Sequence, residues 1–216
     1  MSMNTIPHAP MPLPPGLVSL LLAAYATPIR AYHNFDHVHE VLGHYAESAQ
    51  RSAWRQPREV FLAVLFHDAI YQAGRRDNEE RSAVLALEAI AEHLPEAGID
   101  GARVAELIRL TARHGRVGPD DVDEDARRFL DGDMAILGAA PAAFDAYHRG
   151  IASEYRGKLP GWLFEFNRRR FLKGLLAKER IFLSDAFHGR FDAPARVNLQ
   201  RVLQAPRSVT RAGAGR

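Results

Sequence analysis

Apolar residues recur at helical spacing along most of the chain, and this pattern predicts a protein built from α-helices. Period-two alternation rich in Val, Ile and Thr, which is typical of strands, is essentially absent. The predicted helices cover about residues 17–26, 34–53, 57–69, 78–94, 101–114, 123–138, 141–156, 161–186 (a segment that a break could divide) and 193–203. We therefore predict an all-α, multi-helix bundle that forms a single domain.

Capping residues indicate where several of these helices begin. Asn34 or Asp36 lies near the N-cap position of the second helix, where a short polar side chain can accept a free backbone N–H. Pro57 opens the third helix at a first-turn position that proline favours. Asp77 or Asn78 is expected to cap the fourth helix.

The third predicted helix is apolar on every face, because residues 60–66 read VFLAVLF without interruption. A helix with this pattern is buried on all sides, so His67 and Asp68 should lie at the inner end of the central helix. A buried carboxylate without a compensating charge costs several kcal/mol or more. A divalent cation supplies that charge, and imidazole and carboxylate groups are among the ligands it favours. The pattern therefore predicts a metal site at this pair.

Composition narrows the class of protein. A chain of 216 residues, 47% of them apolar, is long enough to bury one sizeable core. It contains no cysteine, which excludes disulfides, thiolate metal sites and cysteine nucleophiles and is compatible with a reducing cytoplasm. No run of about 18 apolar residues is present, so we expect no membrane-spanning helix. We expect a cytoplasmic protein with no membrane partner.

The two ends of the chain differ from the helical part. Residues 1–16 are proline-rich, uncharged and unlike a signal peptide, and we expect a flexible lead-in to a domain at 17–204. Residues 205–216 are expected to form a flexible basic tail with three arginines and no acid. Without those arginines the formal charge of +2 becomes −1. Such a near-neutral body argues against a nucleic-acid partner.

One motif can be set aside on geometry. His39 and His44 flank a glutamate in a string that is similar to the zinc-protease pattern but one residue too long. Five residues of helix rotate by about 500°, which leaves the two imidazoles about 140° apart. They cannot share one zinc ion in the way a zinc protease requires.

Four segments, taken in order, resemble a known family. They read YHNFDH at 32–37, FHDAIY at 66–71, DNEERSA at 77–83 and DGDMAILG at 131–138. Together they resemble the HD superfamily of metal-dependent phosphohydrolases, and most closely a bacterial branch described as predicted HD-superfamily phosphohydrolases. The resemblance spans about residues 30–200. It implies an HD-type helical bundle with a divalent metal ion.

The same resemblance implies a set of metal ligands. His37 matches the first ligand, and His67 and Asp68 match the pair that names the superfamily. The last ligand should be Asp133, which precedes an apolar run, with Asp131 as the nearby competitor. Residues two apart on a helix point about 200° apart, so both cannot face one metal. Asp131 is then expected in the outer coordination shell.

The resemblance also suggests how the site would act. Asp68 would bridge the metal and the nucleophilic water, and Glu79 or His114 would serve as general acid or base. His33 is expected in the outer coordination shell. Tyr71 stands where some nucleotide-cleaving members have a glutamate, so their mechanism does not transfer directly. The metal could be Mn, Fe, Co, Ni, Zn or, less readily, Mg.

Arginines suited to phosphate binding are plentiful. Arg75, Arg76 and Arg113 lie nearest the motifs and are the predicted substrate-binding residues. The others available are Arg30, Arg116 and Arg168 to Arg170. We expect hydrolysis of a phosphomonoester or phosphoanhydride of a nucleotide or other small molecule by metal-activated water. The alternatives are a non-catalytic module that binds metal and nucleotide, and a phosphodiesterase or nuclease.

Overall fold

The computed structural model describes residues 6–205, and helices make up all of the regular structure in that range. The α-helices are α1 (Pro15–Ala26), α2 (Phe35–Arg51), α3 (Pro57–Phe66), α4 (Asn78–His93), α5 (Gly101–Thr111), α6 (Glu124–Met134), α7 (Pro141–Tyr155), α8 (Gly161–Leu176) and α9 (Asp185–Gln204). Short 3₁₀ helices cover Pro119–Asp121 and Ala135–Gly138. No strand occurs within residues 6–205, so the all-α prediction is confirmed.

Local signals place the starts of the helices that carry the site. The Asn34 side chain accepts hydrogen bonds from the backbone N–H groups of Asp36 and His37, so Asn34 is the N-cap of α2. Pro57 opens α3 in the first turn, as predicted. This helix ends at Phe66 rather than at residue 69, because the chain tightens into a turn in which the Ala69 N–H bonds the Phe66 carbonyl. His67 and Asp68 therefore lie in the turn that follows α3.

The largest difference from the predicted elements lies near the C-terminus. The segment 161–186 divides, with α8 ending at Leu176 and α9 beginning at Asp185 instead of residue 193. Buried carboxylates capture the backbone N–H groups of the connection and hold it away from helical geometry. Asp192 accepts from Ile181, and Asp131 accepts from Leu183. These partners are distant in sequence, so helical periodicity alone does not reveal the break.

The core has two parts that meet at the site. α3 is the central helix of the first part, and it packs against α2, α4, α5 and α6 with every residue from Val60 to Phe66 buried. A second apolar cluster joins the 3₁₀ helix at 135–138 to α7, α8 and α9. Because α6 runs directly into that 3₁₀ helix, its C-terminal end lies where the two clusters meet.

The ends of the described range bear on two expectations. Ile6 is buried in the first cluster, and Met11 and Leu13 pack against it, so part of the expected lead-in lies on the core. The expected basic tail lies outside the described residues, except for residue 205. Among the helices of residues 6–205, none has both the length and the apolar character needed to cross a bilayer.

Close packing of α9 on the 3₁₀ helix gives a testable stability prediction. A Cβ atom at Gly138 would lie 2.6 Å from the Phe191 carbonyl oxygen, so a side chain there forces the two elements apart. We expect Gly138→Ala to lower the free energy of unfolding by about 1–3 kcal/mol, measured by urea denaturation. Gly174→Ala is the matched control, because its Cβ meets no atom within 4 Å. Equal stability of Gly138→Ala and the wild type would contradict this packing.

Candidate metal centre

Two histidines and an aspartate from three separate segments converge at one buried point. The Nε2 atom of His37, on α2, lies 3.2 Å from Nε2 of His67 and 3.0 Å from Oδ1 of Asp133, on α6. His67 Nε2 is 3.5 Å from the same Asp133 oxygen. One donor atom from each residue lies within 4.8 Å of the others, so the cluster could hold a metal ion.

Asp68 lies beside this cluster. Its Oδ2 atom is 3.2 Å from His67 Nε2 and 3.8 Å from His37 Nε2. The structure therefore brings together all four residues that the sequence predicts as ligands. Two imidazoles and two carboxylates form a donor set that fits a divalent transition metal and balances its charge.

The orientation of His67 suits a ligand. Its Nδ1 atom lies 2.9 Å from the Val64 carbonyl oxygen, one turn back in α3. A carbonyl only accepts hydrogen bonds, so Nδ1 carries a proton and Nε2 faces the cluster, where it could bind a metal once its own proton is released. The His37 ring packs against Tyr32, with ring centroids 4.7 Å apart, and its Nδ1 atom is buried without a hydrogen-bond partner in residues 6–205.

Arg30 anchors the turn that carries His67 and Asp68. Its buried guanidinium donates to the backbone carbonyls of Asp68 at 2.6 Å and Ala69 at 3.0 Å, and also to those of Ala24 and His33. These bonds tie the turn to the end of α1 and the approach to α2. Arg30 therefore supports the site from behind, with its terminal nitrogens occupied by backbone oxygens.

The charges in the cluster are strongly coupled. Burial opposes charge on His67, yet the nearby carboxylates of Asp68 and Asp133 raise its pKa well above the usual value. Burial likewise opposes ionisation of both aspartates, yet the imidazolium of His67 lowers the pKa of each. Two ionised carboxylates thus face a shared positive charge. A metal ion would compete with the His67 proton for that position.

His114 extends the cluster outward. Its Nε2 atom lies 2.6 Å from Asp133 Oδ2, the oxygen that does not face His37. Because both carboxylate oxygens of Asp133 have an imidazole partner, the orientation of this side chain is fixed from two sides. His114 follows α5 and is half-buried, so it also borders the space above the cluster.

A cavity of about 400 Å³ opens above the cluster, a volume suited to a small molecule. Its walls come from both parts of the core. The polar and charged side chains that line it are Tyr32, His33, His37, Asp68, Tyr71, Glu79, Thr111, His114, Arg116, Asp133, Tyr147, Tyr155 and Arg168. The cavity therefore joins the candidate ligands to groups from α7 and α8.

Glu79 lies in the wall of this cavity, in the first turn of α4. Burial raises the pKa of its carboxyl group, and the negative charge of Asp68 raises it further. A carboxyl group that holds its proton more tightly is better suited to donate that proton near neutral pH. The environment of Glu79 is therefore compatible with a general acid.

His33 is held by a residue that sequence reasoning missed. The His33 Nδ1 atom lies 2.6 Å from Glu154 Oε2, and the backbone N–H groups of Tyr32 and His33 donate to Oε1 of the same carboxylate. The His33 ring also stacks on Tyr71 at 3.9 Å. Glu154 is on α7, 121 residues away, and carries no motif that could have indicated this contact.

The arginines are distributed differently from the sequence expectation. Arg75 forms an exposed ion pair with Asp77 at 2.6 Å, and Arg76 and Arg113 are exposed. None of these three is among the residues that line the cavity, whereas Arg116 and Arg168 are. The three arginines predicted to bind substrate were chosen because they lie close to the motifs in sequence, but in the structure they lie on the outer surface.

Asp131 points away from the cluster. Its carboxylate accepts hydrogen bonds from the backbone N–H groups of Leu183 and Ser184, each at 2.7 Å, and from the Ser184 hydroxyl at 2.6 Å. Asp131 therefore anchors the connection that leads into α9. Its separation from Asp133 by two helical positions explains why the two carboxylates diverge.

No protein-family model, curated protein or solved structure matches this chain. The interpretation of the site therefore depends on its own geometry and on the ordered motifs of the sequence.

Asp131 holds the connection before α9, whereas Asp133 belongs to the candidate metal cluster, so a substitution of Asp131 should affect stability and not metal binding. We expect Asp131→Asn to lower the free energy of unfolding by about 2 kcal/mol, because the amide places donors against buried N–H groups that need an acceptor. Urea denaturation measures this loss, and elemental analysis should find metal binding unchanged. An Asp131→Asn variant with wild-type stability and no metal would instead place Asp131 in the metal site.

Proposed function

We propose that this protein is an HD-type metal-dependent phosphohydrolase that cleaves a phosphomonoester or phosphoanhydride of a nucleotide or other small molecule. The observation that supports it most directly is the cluster of two buried histidines and two aspartates at the base of a cavity. Its members follow the order along the chain that the HD resemblance implies: His37, His67, Asp68 and Asp133. The cavity has a volume suited to a small molecule, in agreement with the proposed substrate class.

A bound divalent metal would polarise a phosphoryl oxygen and lower the pKa of water at the base of the cavity. Asp68 has the features of the group that orients this water. Its carboxylate stays ionised because the charge of His67 lowers its pKa, and it borders the cavity. Asp68 can therefore accept a hydrogen bond from the attacking water and orient it, while His37, His67 and Asp133 would hold the metal.

The leaving group needs a proton, and Glu79 can supply it. The raised pKa of Glu79 keeps a larger fraction of the carboxyl protonated than in an exposed glutamate. His114 is the other candidate, but its Nε2 atom is engaged with Asp133 at 2.6 Å. We therefore assign proton donation to Glu79 and the orientation of Asp133 to His114.

A binding module without turnover is the second candidate function. The observation that favours it is Tyr71, which occupies the position where some nucleotide-cleaving HD proteins have a glutamate. This tyrosine lines the cavity and stacks on His33, so its ring fills space that a carboxylate would otherwise occupy. Such a module would bind metal and nucleotide and release no phosphate.

The test is phosphate release from a panel of nucleotides and sugar phosphates, using protein loaded in turn with Mn, Fe, Co, Ni, Zn or Mg. We expect Asp68→Asn to reduce turnover by at least about 100-fold, because the negative charge that orients the water and helps to hold the metal is lost. Asp120→Asn, at an exposed position outside the cavity, is the matched control and should keep wild-type turnover. Circular dichroism should show that both variants remain folded.

Two outcomes would contradict the proposal. Undiminished turnover in Asp68→Asn would remove Asp68 from the mechanism. Nucleotide binding by calorimetry without phosphate release, with every metal tested, would replace the hydrolase with the binding module.

A further inference from the structure

Arg168 is a half-buried cation without a polar partner among residues 6–205. It lies on α8 and lines the same cavity as the candidate metal ligands. Its Nε and Nη2 atoms are both buried, and neither has a hydrogen-bond partner in the part of the chain that the structure describes. Buried guanidinium groups are normally paired, because an unsatisfied charged donor in the interior is costly.

Three other arginines with largely buried side chains have partners for both terminal nitrogens, although Arg30 and Arg128 share the unpaired Nε. Arg30 lacks a partner only at Nε, and its terminal nitrogens donate to four backbone carbonyls. Arg128 donates to the Asp125 carboxylate and to two carbonyls. Arg169, next to Arg168 in sequence, donates to Glu165 and to the carbonyl of Leu203. Arg168 differs from all three in its unpaired terminal nitrogen, Nη2, which requires a separate explanation.

Aromatic rings hold the Arg168 guanidinium in place. Its Cζ atom lies 5.0 Å from the centroid of the Tyr147 ring and 5.7 Å from that of Phe171. Cation–π contacts of this kind position a guanidinium through its face and supply no hydrogen-bond acceptor to its N–H groups. Tyr147 and Phe171 also line the cavity. The resulting arrangement is a fixed, planar donor that suits bidentate binding of a phosphate or carboxylate.

Arg168 contacts the candidate metal ligands only through aromatic rings. The Tyr147 ring lies 4.6 Å from the Tyr32 ring, and the Tyr32 ring lies 4.7 Å from the His37 ring. No hydrogen bond or ion pair joins the Arg168 guanidinium to a candidate metal ligand within residues 6–205. An anion bound by Arg168 would be a different group from one bound at the metal cluster.

We propose that Arg168 binds a second anionic group of the substrate, so that the preferred substrates are small molecules with two separated anionic groups, such as bisphosphates. The inference depends on the proposed function, because one phosphoryl group must sit at the metal cluster. Arg116 also lines the cavity and adds positive charge to it. Arg168 is thus a specificity-determining residue that contacts the end of the substrate remote from the reaction.

The test compares two flexible phosphonates, whose carbon–phosphorus bonds a phosphate-ester hydrolase does not cleave. Calorimetry on the full-length, manganese-loaded protein measures the Kd of butane-1,4-diphosphonate and of butylphosphonate. We expect the wild type to bind the diphosphonate at least about 10-fold more tightly, since one charge-assisted bidentate contact supplies an energy of this order. Arg168→Gln should abolish this preference while leaving butylphosphonate binding unchanged.

Matched variants keep the test decisive. Arg170→Gln removes the same charge from the same helix at an exposed position outside the cavity, and should retain the preference. Arg168→Lys keeps the charge without the planar fork, and should restore part of the preference even if Arg168→Gln is poorly folded. An unaltered preference in Arg168→Gln and Arg168→Lys, or no preference in the wild type, would overturn the inference.

The outcome is separable from that of the proposed function. A preference that depends on Arg168 without any phosphate release would support the second anion site and reject the hydrolase. Phosphate release that Asp68→Asn abolishes, with no effect of Arg168→Gln on the preference, would support the hydrolase and reject the anion site.

Discussion

The structure depends on how two carboxylates are neutralised at the inner end of a fully buried helix. Asp68 and Asp133 face the buried imidazoles of His37 and His67 at the base of the cavity, and two carboxylates so close together need a compensating cation. The apolar residues of α3 place the His67 turn in the core, and the coupling between carboxylates and imidazole keeps both aspartates ionised. Binding of a divalent metal would explain why two carboxylates and two imidazoles are brought together here.

The rest of the fold fixes the positions of these side chains and forms the cavity above them. Arg30 fixes the turn from behind, and His114 fixes the far oxygen of Asp133. The second apolar cluster then brings α7 and α8 to the cavity, where Tyr147 and Arg168 line the wall and Glu154 holds His33. The first part of the core therefore positions the candidate chemistry, and the second part builds the walls that would select a ligand.

Much of the candidate metal cluster could be predicted because its signals are local. The unbroken apolar run of α3 indicated that His67 and Asp68 would be buried, and Asn34 indicated the start of the helix that carries His37. Helix geometry predicted that Asp131 and Asp133 point in different directions. It could not predict the partner of Asp131, because that partner is the distant segment 183–184.

The cavity walls could not be predicted in the same way. Glu154 contacts His33 across 121 residues, and neither side chain belongs to a pattern that pairs them. Arg168 is one of three consecutive arginines, and only packing against Tyr147 distinguishes it from its neighbours. The division of 161–186 into two helices likewise depends on carboxylates far along the chain. The cavity walls therefore depend on long-range contacts that carry no sequence signal, whereas the residues of the candidate metal cluster carry motifs of their own.

The metal content of the purified protein tests the central claim most directly. Elemental mass spectrometry of the untagged wild type and of His37→Ala, each incubated with Mn, Fe, Co, Ni or Zn and then desalted, would measure metal per chain. The account predicts about one or two equivalents of a transition metal in the wild type and a large loss in the variant. A wild type that stays metal-free with every ion would contradict it, because the buried cluster would then be neutralised by protons alone.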